Sequence, residues 1–122
     1  MFINLSNHPS DGWSEEQMAA AVAMGGEVVD IPFPAVPPQA DEDEISQLGQ
    51  ECIEQIALVA GGTPVVHVMG EMTLTHDIVQ RLHKLGIRCV ASTTQRVATT
   101  NADGSKTSAF RFVRFRDYRP HS

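Results

Sequence analysis

The stretch PVVHVM, residues 64–69, sets five apolar side chains around a single histidine. A run this short and this continuous suits a strand buried on both faces, as in a parallel sheet covered by helices. Its surroundings agree. Upstream, Ile45, Leu48, Cys52, Ile56 and Val59 recur at helical spacing and predict one buried stripe. The acids of DEDE, 41–44, open that helix where the macrodipole favours them, and Gly61-Gly62 stops it. Downstream, GEMT leads into a second stripe of Ile78, Val79, Leu82 and Leu85 that ends at Gly86. IRCVAST, 87–93, then reads as another strand.

Working outward, residues 2–5 form a short strand. Ser14 and Gln17 make a capping box for a helix with Met18, Ala21, Val22 and Gly25 on one face, closed by Gly25-Gly26. EVVDI, 27–31, is the next strand. PFPAVPPQA, 32–40, holds four prolines and is a stiff extended connection. At the other end, residues 94–99 and 107–116 are expected as two further strands joined by the hairpin chemistry of NADGSK. Strict alternation would set Phe110, Phe112, Arg114, Arg116 and Tyr118 on one face, and Arg111, Val113, Phe115 and Asp117 on the other. The result is an α/β class: one Rossmann-like domain over 1–122, with a mostly parallel sheet, three helices and a C-terminal antiparallel hairpin.

A chain of 122 residues suits one core. No apolar run reaches the length of a membrane span, and MFINLSNHPS lacks the basic and apolar regions of a secretory signal. Cys52 and Cys89 sit inside apolar patterns and read as buried reduced thiols. A cytoplasmic protein is expected. The net charge of −6 conceals an asymmetry. Residues 1–60 hold eleven acids and no Lys or Arg, whereas all nine basic residues lie between Arg81 and Arg119. Bulk acidity argues against sliding on long nucleic acid. The two halves either neutralise each other or leave a local basic site for a small phosphorylated ligand.

Ligands of open parallel sheets bind beyond the carboxyl ends of the strands, where strand order reverses. If the order begins 2-1-3-4, that point lies between the first and third strands. Three polar clusters would then share one rim: Ser6-Asn7-His8, then Gly70-Glu71-Met72-Thr73 with Thr75, then Ser92-Thr93-Thr94-Gln95-Arg96. Taken singly, each cluster is equally a turn, a strand end or an ion-pair partner. Together they offer hydroxyls, amides, an imidazole, a carboxylate and a guanidinium, which suits phosphate and base edges. There is no G-x-G-x-x-G after the first strand and no Walker motif. His76 and His83 are two turns apart, and neither cysteine has zinc spacing. No cofactor or metal is expected. His67 is expected to be a hydrogen-bonded core residue rather than a ligand.

The set SNH after the first strand, VMGEMTLT after the third, ASTTQR after the fourth and a closing FVRFRDY resembles the small stand-alone CRISPR-associated ring nucleases. These are relatives of the CARF (CRISPR-associated Rossmann-fold) sensors. The resemblance covers most of the chain and is strongest from Val65 to Tyr118; the Pro-rich stretch at 32–40 and the length of the NADGSK turn are not matched to it. It implies a homodimer that binds cyclic oligoadenylate, the four-membered ring foremost, and cleaves it to end antiviral signalling. A two-fold ligand suits a two-fold dimer. Metal-free cleavage would proceed by attack of a ribose 2′-hydroxyl on the adjacent phosphate. Arg96 would contact that phosphate, Ser6, Asn7 and Thr94 would donate hydrogen bonds, and His8 would transfer a proton. Glu71 would be a rival base or a reader of the adenine amino edge. A binding module that leaves the ring intact, and a small-molecule enzyme on a Rossmann-like sheet, are the alternatives.

Overall fold

The computed structural model describes residues 1–120. Its elements run β1 (Phe2–Ser6), α1 (Glu15–Gly25), β2 (Val28–Pro32), α2 (Glu42–Val59), β3 (Val65–Met69), α3 (Met72–Lys84), β4 (Arg88–Thr100) and β5 (Lys106–Asp117). The five strands form one sheet in the order β2-β1-β3-β4-β5, parallel except for β5. The α/β class, the three helices and the closing antiparallel pair are as the sequence implies. Positions 121 and 122, the last of the expected domain, lie outside the described residues.

Period-two alternation sorts the strand side chains onto two faces. Ile3, Leu5, Val66, Val68 and Cys89 pack against Cys52 and Ile56 of α2 and Leu74, Ile78 and Leu82 of α3. On the opposite face Phe2, Val90, Phe112 and Phe115 gather around Ala21 of α1, with Trp13 against them. Both cysteines are free and buried. Burial pushes the Cys52 thiol up to about 11 and the Cys89 thiol up to about 12, so both stay protonated.

Three expectations need correction. Residues 87–93 and 94–99 are not two strands but parts of a single β4, because no turn chemistry separates them. Alternation along β5 also fails. Thr93 pairs with Arg114 and Thr94 with Phe112, which leaves Val113 as an extra residue, a β-bulge. The bulge shifts the pattern by one position, so Phe112 and Phe115 share the α1 face instead of opposing each other. Finally, the helical stripes are shorter than their periodicity suggests. Val59 and Leu85, at the helix ends, and Val22 are exposed.

Beyond Val90, β4 loses β3 as a neighbour and continues with β5 alone. Residues 94–100 and 106–111 are exposed and form a two-stranded arm that leaves the carboxyl end of the sheet. Asn101 to Ser105 close its tip, with Gly104 at φ +86°.

Gly25 seats α1 on the sheet. A Cβ there would lie 2.7 Å from the Met1 carbonyl carbon and 2.7 Å from the Phe2 nitrogen, backbone atoms that cannot swing aside. Gly→Ala inside a helix ordinarily stabilises by about 1 kcal/mol. Gly25→Ala is expected to destabilise instead, by about 1–3 kcal/mol, through overpacking. Chemical denaturation of the two proteins measures the sign.

Candidate functional site

Register builds the site. Asn4 of β1 is the cross-strand partner of Asp30 in β2 and of His67 in β3, so three polar residues form one row across the sheet. Asn4 and His67 are each at most 2% exposed, on the α1 face. Burial at this level requires every polar atom to find a partner. Asn4 Nδ2 donates to Asp30 Oδ1 at 2.9 Å and to the His8 carbonyl at 2.9 Å. Its Oδ1 accepts from Ser6 Oγ at 2.8 Å and meets His67 Nδ1 at 2.8 Å. With both amide hydrogens committed, Oδ1 can only accept, so His67 carries its hydrogen on Nδ1. The bare Nε2 lies 3.2 Å from Ser92 Oγ.

Aromatic rings wall in His67. Phe2 stacks at 6.3 Å, while Trp13 at 5.7 Å and Phe115 at 5.4 Å meet it edge-on. Burial first, then the charge of His8, pulls the imidazole down from 6.5 to about 4. His67 is therefore neutral at physiological pH, and the expectation of a hydrogen-bonded core histidine holds.

The same row fixes the loop after β1. The His8 amide donates to Ser6 Oγ at 3.2 Å, and Ser10 donates to Asp30 through its amide and through its hydroxyl at 2.8 Å. Buried side chains thus grip the backbone of this loop. The side chains of Asn7 and His8 stand exposed and make no hydrogen bond among the described residues. Asn4, Ser6, Asn7, Pro9 and Asp30 line a cleft of about 180 Å³ beside them.

The second cluster sits on the same rim but lines a different cleft, of about 360 Å³, formed by Gly70, Met72, Thr75, His76 and Tyr118. A Cβ on Gly70 would collide with the Phe33 ring, so this glycine is required by packing. Glu71 is the N-cap of α3. Its carboxylate accepts from the Leu74 amide at 2.8 Å, the Thr73 amide at 3.0 Å and the Thr73 hydroxyl. Those bonds, the hydroxyl foremost, hold its pKa below the usual carboxylate range. Met72 is exposed, and Thr75 Oγ1 is buried without a partner among the described residues.

The third cluster divides. Ser92 is half-buried and joins the polar row, with Met69 Sδ 3.1 Å away. Thr93 donates to the Arg114 carbonyl. Thr94, Gln95 and Arg96 are exposed on the arm. Arg96 lies six positions past Val90, about 20 Å along the strand, and its guanidinium donates to Ser108 across the arm at 2.9 Å. Within one chain, then, Ser6, the His8 backbone and Ser92 share one network, 70–75 flank it, and Arg96 stands apart.

Asn4 and Asp30 were not among the residues expected from sequence. The signal was present as a single polar residue in the middle of FINLS, VVDI and VVHVM, legible only once the register is known. The charge asymmetry also survives folding. Among the described residues Arg111–Glu16 is the only ion pair that joins the basic half to the acidic half, while the pairs Arg81–Asp77 and Arg88–Asp117 lie within the former. No three His, Cys, Asp or Glu side chains converge as a metal site among the described residues, and no helix is long and apolar enough to cross a membrane.

These features define a Rossmann-like α/β protein with a polar row that crosses the topological switch point of its sheet, between β1 and β3. The sequence matches the family described as the uncharacterized protein MJ1673 family over residues 1–116, and the chain belongs to that family. No curated protein and no solved structure matches it.

The buried histidine gives the fold a pH dependence. In the unfolded chain His67 titrates near its ordinary value. Between that value and about 4 the unfolded state binds a proton that the native state refuses. The contribution is therefore intact above about pH 6.5 and is lost as the pH falls toward about 4. The span corresponds to at most roughly 3 kcal/mol. Urea midpoints are expected to drop over this window in the wild type and to drop less in His67→Gln.

Proposed function

We propose that this chain is a ring nuclease that acts as a homodimer, binding cyclic tetra-adenylate and cleaving it without a metal, and so ending CRISPR antiviral signalling. The observation that carries this reading is the held loop after β1. Asn4, Ser6 and Asp30 fix its backbone and leave Asn7 and His8 free at the switch point. Such a loop is preorganised: it presents an amide and an imidazole to a ligand with little further ordering. Phosphodiester cleavage by a neighbouring 2′-hydroxyl asks mainly for in-line geometry, proton transfer and stabilisation of developing charge.

In this reading the 2′-hydroxyl gives its proton to an acceptor at the rim, water included, as its oxygen attacks phosphorus and the bond from phosphorus to the 5′-oxygen breaks. The products are a 2′,3′-cyclic phosphate and a 5′-hydroxyl. His8 supplies the proton that the leaving oxygen takes. Asn7 donates to the ring, and Thr94 serves it from the base of the arm. Ser6, whose hydroxyl is committed to Asn4, acts by holding the loop. The carboxylate of Glu71, held ionised by its capping bonds, accepts from an adenine amino group rather than serving as a base. Arg96, far along the arm from its own rim, reaches the scissile phosphate of the partner across the dyad. The second reading, a ring-binding module that does not cut, is favoured by the commitment of both Ser6 and Glu71 to internal bonds.

Incubation with cyclic tetra-adenylate in excess EDTA, followed by product separation, decides between them: linear products with a cyclic phosphate support the nuclease, and an intact ring supports the module. Light scattering is expected to report a dimer. His8→Ala is expected to lose roughly 10²–10⁴-fold in rate. Mixing His8→Ala with Arg96→Ala chains is expected to restore part of the activity, because in mixed dimers one site receives both groups intact. A mixture no more active than its components would place Arg96 outside the partner's site.

A further inference from the structure

The polar row ends at a hydroxyl that the nuclease reading leaves unused. We infer that Ser92 is an activated hydroxyl, with His67 as the base behind it and Asn4 orienting that base. Three observations converge on this. Asn4 is locked by Asp30 and the His8 carbonyl, so its Oδ1 dictates which His67 nitrogen holds the hydrogen. His67 Nε2 consequently presents a lone pair at hydrogen-bond distance, 3.2 Å, from Ser92 Oγ. Met69 Sδ competes for the same hydrogen at 3.1 Å but is a weak acceptor. The hydroxyl hydrogen thus points inward at the imidazole, and the oxygen lone pairs face the half-open rim.

Nucleophile, base and orienting group in that order are the geometry by which a serine becomes reactive. An amide stands here where a carboxylate is more usual, so only a dipole, with the Asp30 carboxylate one hydrogen bond further back, offsets the burial that disfavours the charged imidazole. His67 acts only through Ser92 and is a positioning residue.

The step this hydroxyl performs rests on the ring-nuclease reading. Ser92 lies in β4, two strands from β1, hence about 10 Å across the sheet from the loop that carries His8. That gap admits one phosphodiester between the two groups. The 2′-hydroxyl passes its proton to Ser92 Oγ as Ser92 passes its own to His67 Nε2. The new 2′-oxygen to phosphorus bond forms, the bond to the 5′-oxygen breaks, and His8 protonates the departing oxygen on the far side. The substrate class is a ribose-containing phosphodiester, since the relay needs a vicinal hydroxyl to accept from.

The hydroxyl can be tested without any ring. A fluorophosphonate probe reacts when the serine oxygen attacks phosphorus, fluoride departs and the base takes the proton. At neutral pH, mass spectrometry is expected to find the adduct on Ser92, at least tenfold less of it in His67→Gln, and none in Ser92→Ala. Ser92→Ala removes only a half-exposed hydroxyl and keeps the test open should His67→Gln fail to fold. Under single turnover, Ser92→Ala is expected to cleave cyclic tetra-adenylate roughly 10²-fold more slowly while binding it as before. An unlabelled Ser92, or cleavage at the wild-type rate by Ser92→Ala, overturns the inference and leaves the nuclease reading intact. A labelled Ser92 in a protein that cuts no ring supports the activated hydroxyl and removes the nuclease reading.

Discussion

One side-chain amide ties the molecule together. Asn4 sits in the middle of β1 and reaches β2 through Asp30, β3 through His67 and the following loop through the His8 carbonyl. A buried amide with a missing partner costs about 1–3 kcal/mol, so each of these contacts is enforced by the others. The same atoms that satisfy the interior of the sheet therefore aim the groups at its rim. Structure and site share one hydrogen-bond network.

The two faces of the sheet divide the labour. On one, α2 and α3 bury an aliphatic layer with the regularity expected of a core. On the other, a single short helix and a cluster of aromatic rings surround an imidazole. That second face is less completely covered and contains the polar row. Low polarity around His67 keeps it neutral, and neutrality is what leaves Nε2 able to accept. An aromatic wall is thus an electrostatic device as well as a packing one.

Much of the fold was legible because hydrophobic runs and punctuation agree. PVVHVM, the two helical stripes and the glycines that end them lead to an alternating α/β chain, and parallel crossovers leave few arrangements. What stayed hidden was set by pairing. The bulge at Val113 has no local signature, yet it decides which way Phe112 and Phe115 face. The continuity of β4 depends on β5 accompanying it past the end of β3. Within the candidate site, His8, Ser6 and Ser92 could be picked out as polar residues after buried strands. Asn4 and Asp30 could not, because one polar residue amid an apolar strand acquires meaning only beside its cross-strand partners.

The position of β1 bears on how the chain comes together during synthesis. It precedes the other four strands along the chain and lies between β2 and β3. Emerging from the ribosome, it can pair with β2 early, but its other edge stays open until residues 65–69 arrive. Of the four contacts of the Asn4 side chain, the one to His67 waits for that strand. Parallel pairing across long connections is slow, and open edges invite mispairing meanwhile. The proline-rich segment at 32–40 stiffens the chain within this interval, narrowing the conformations it samples before β3 closes the sheet.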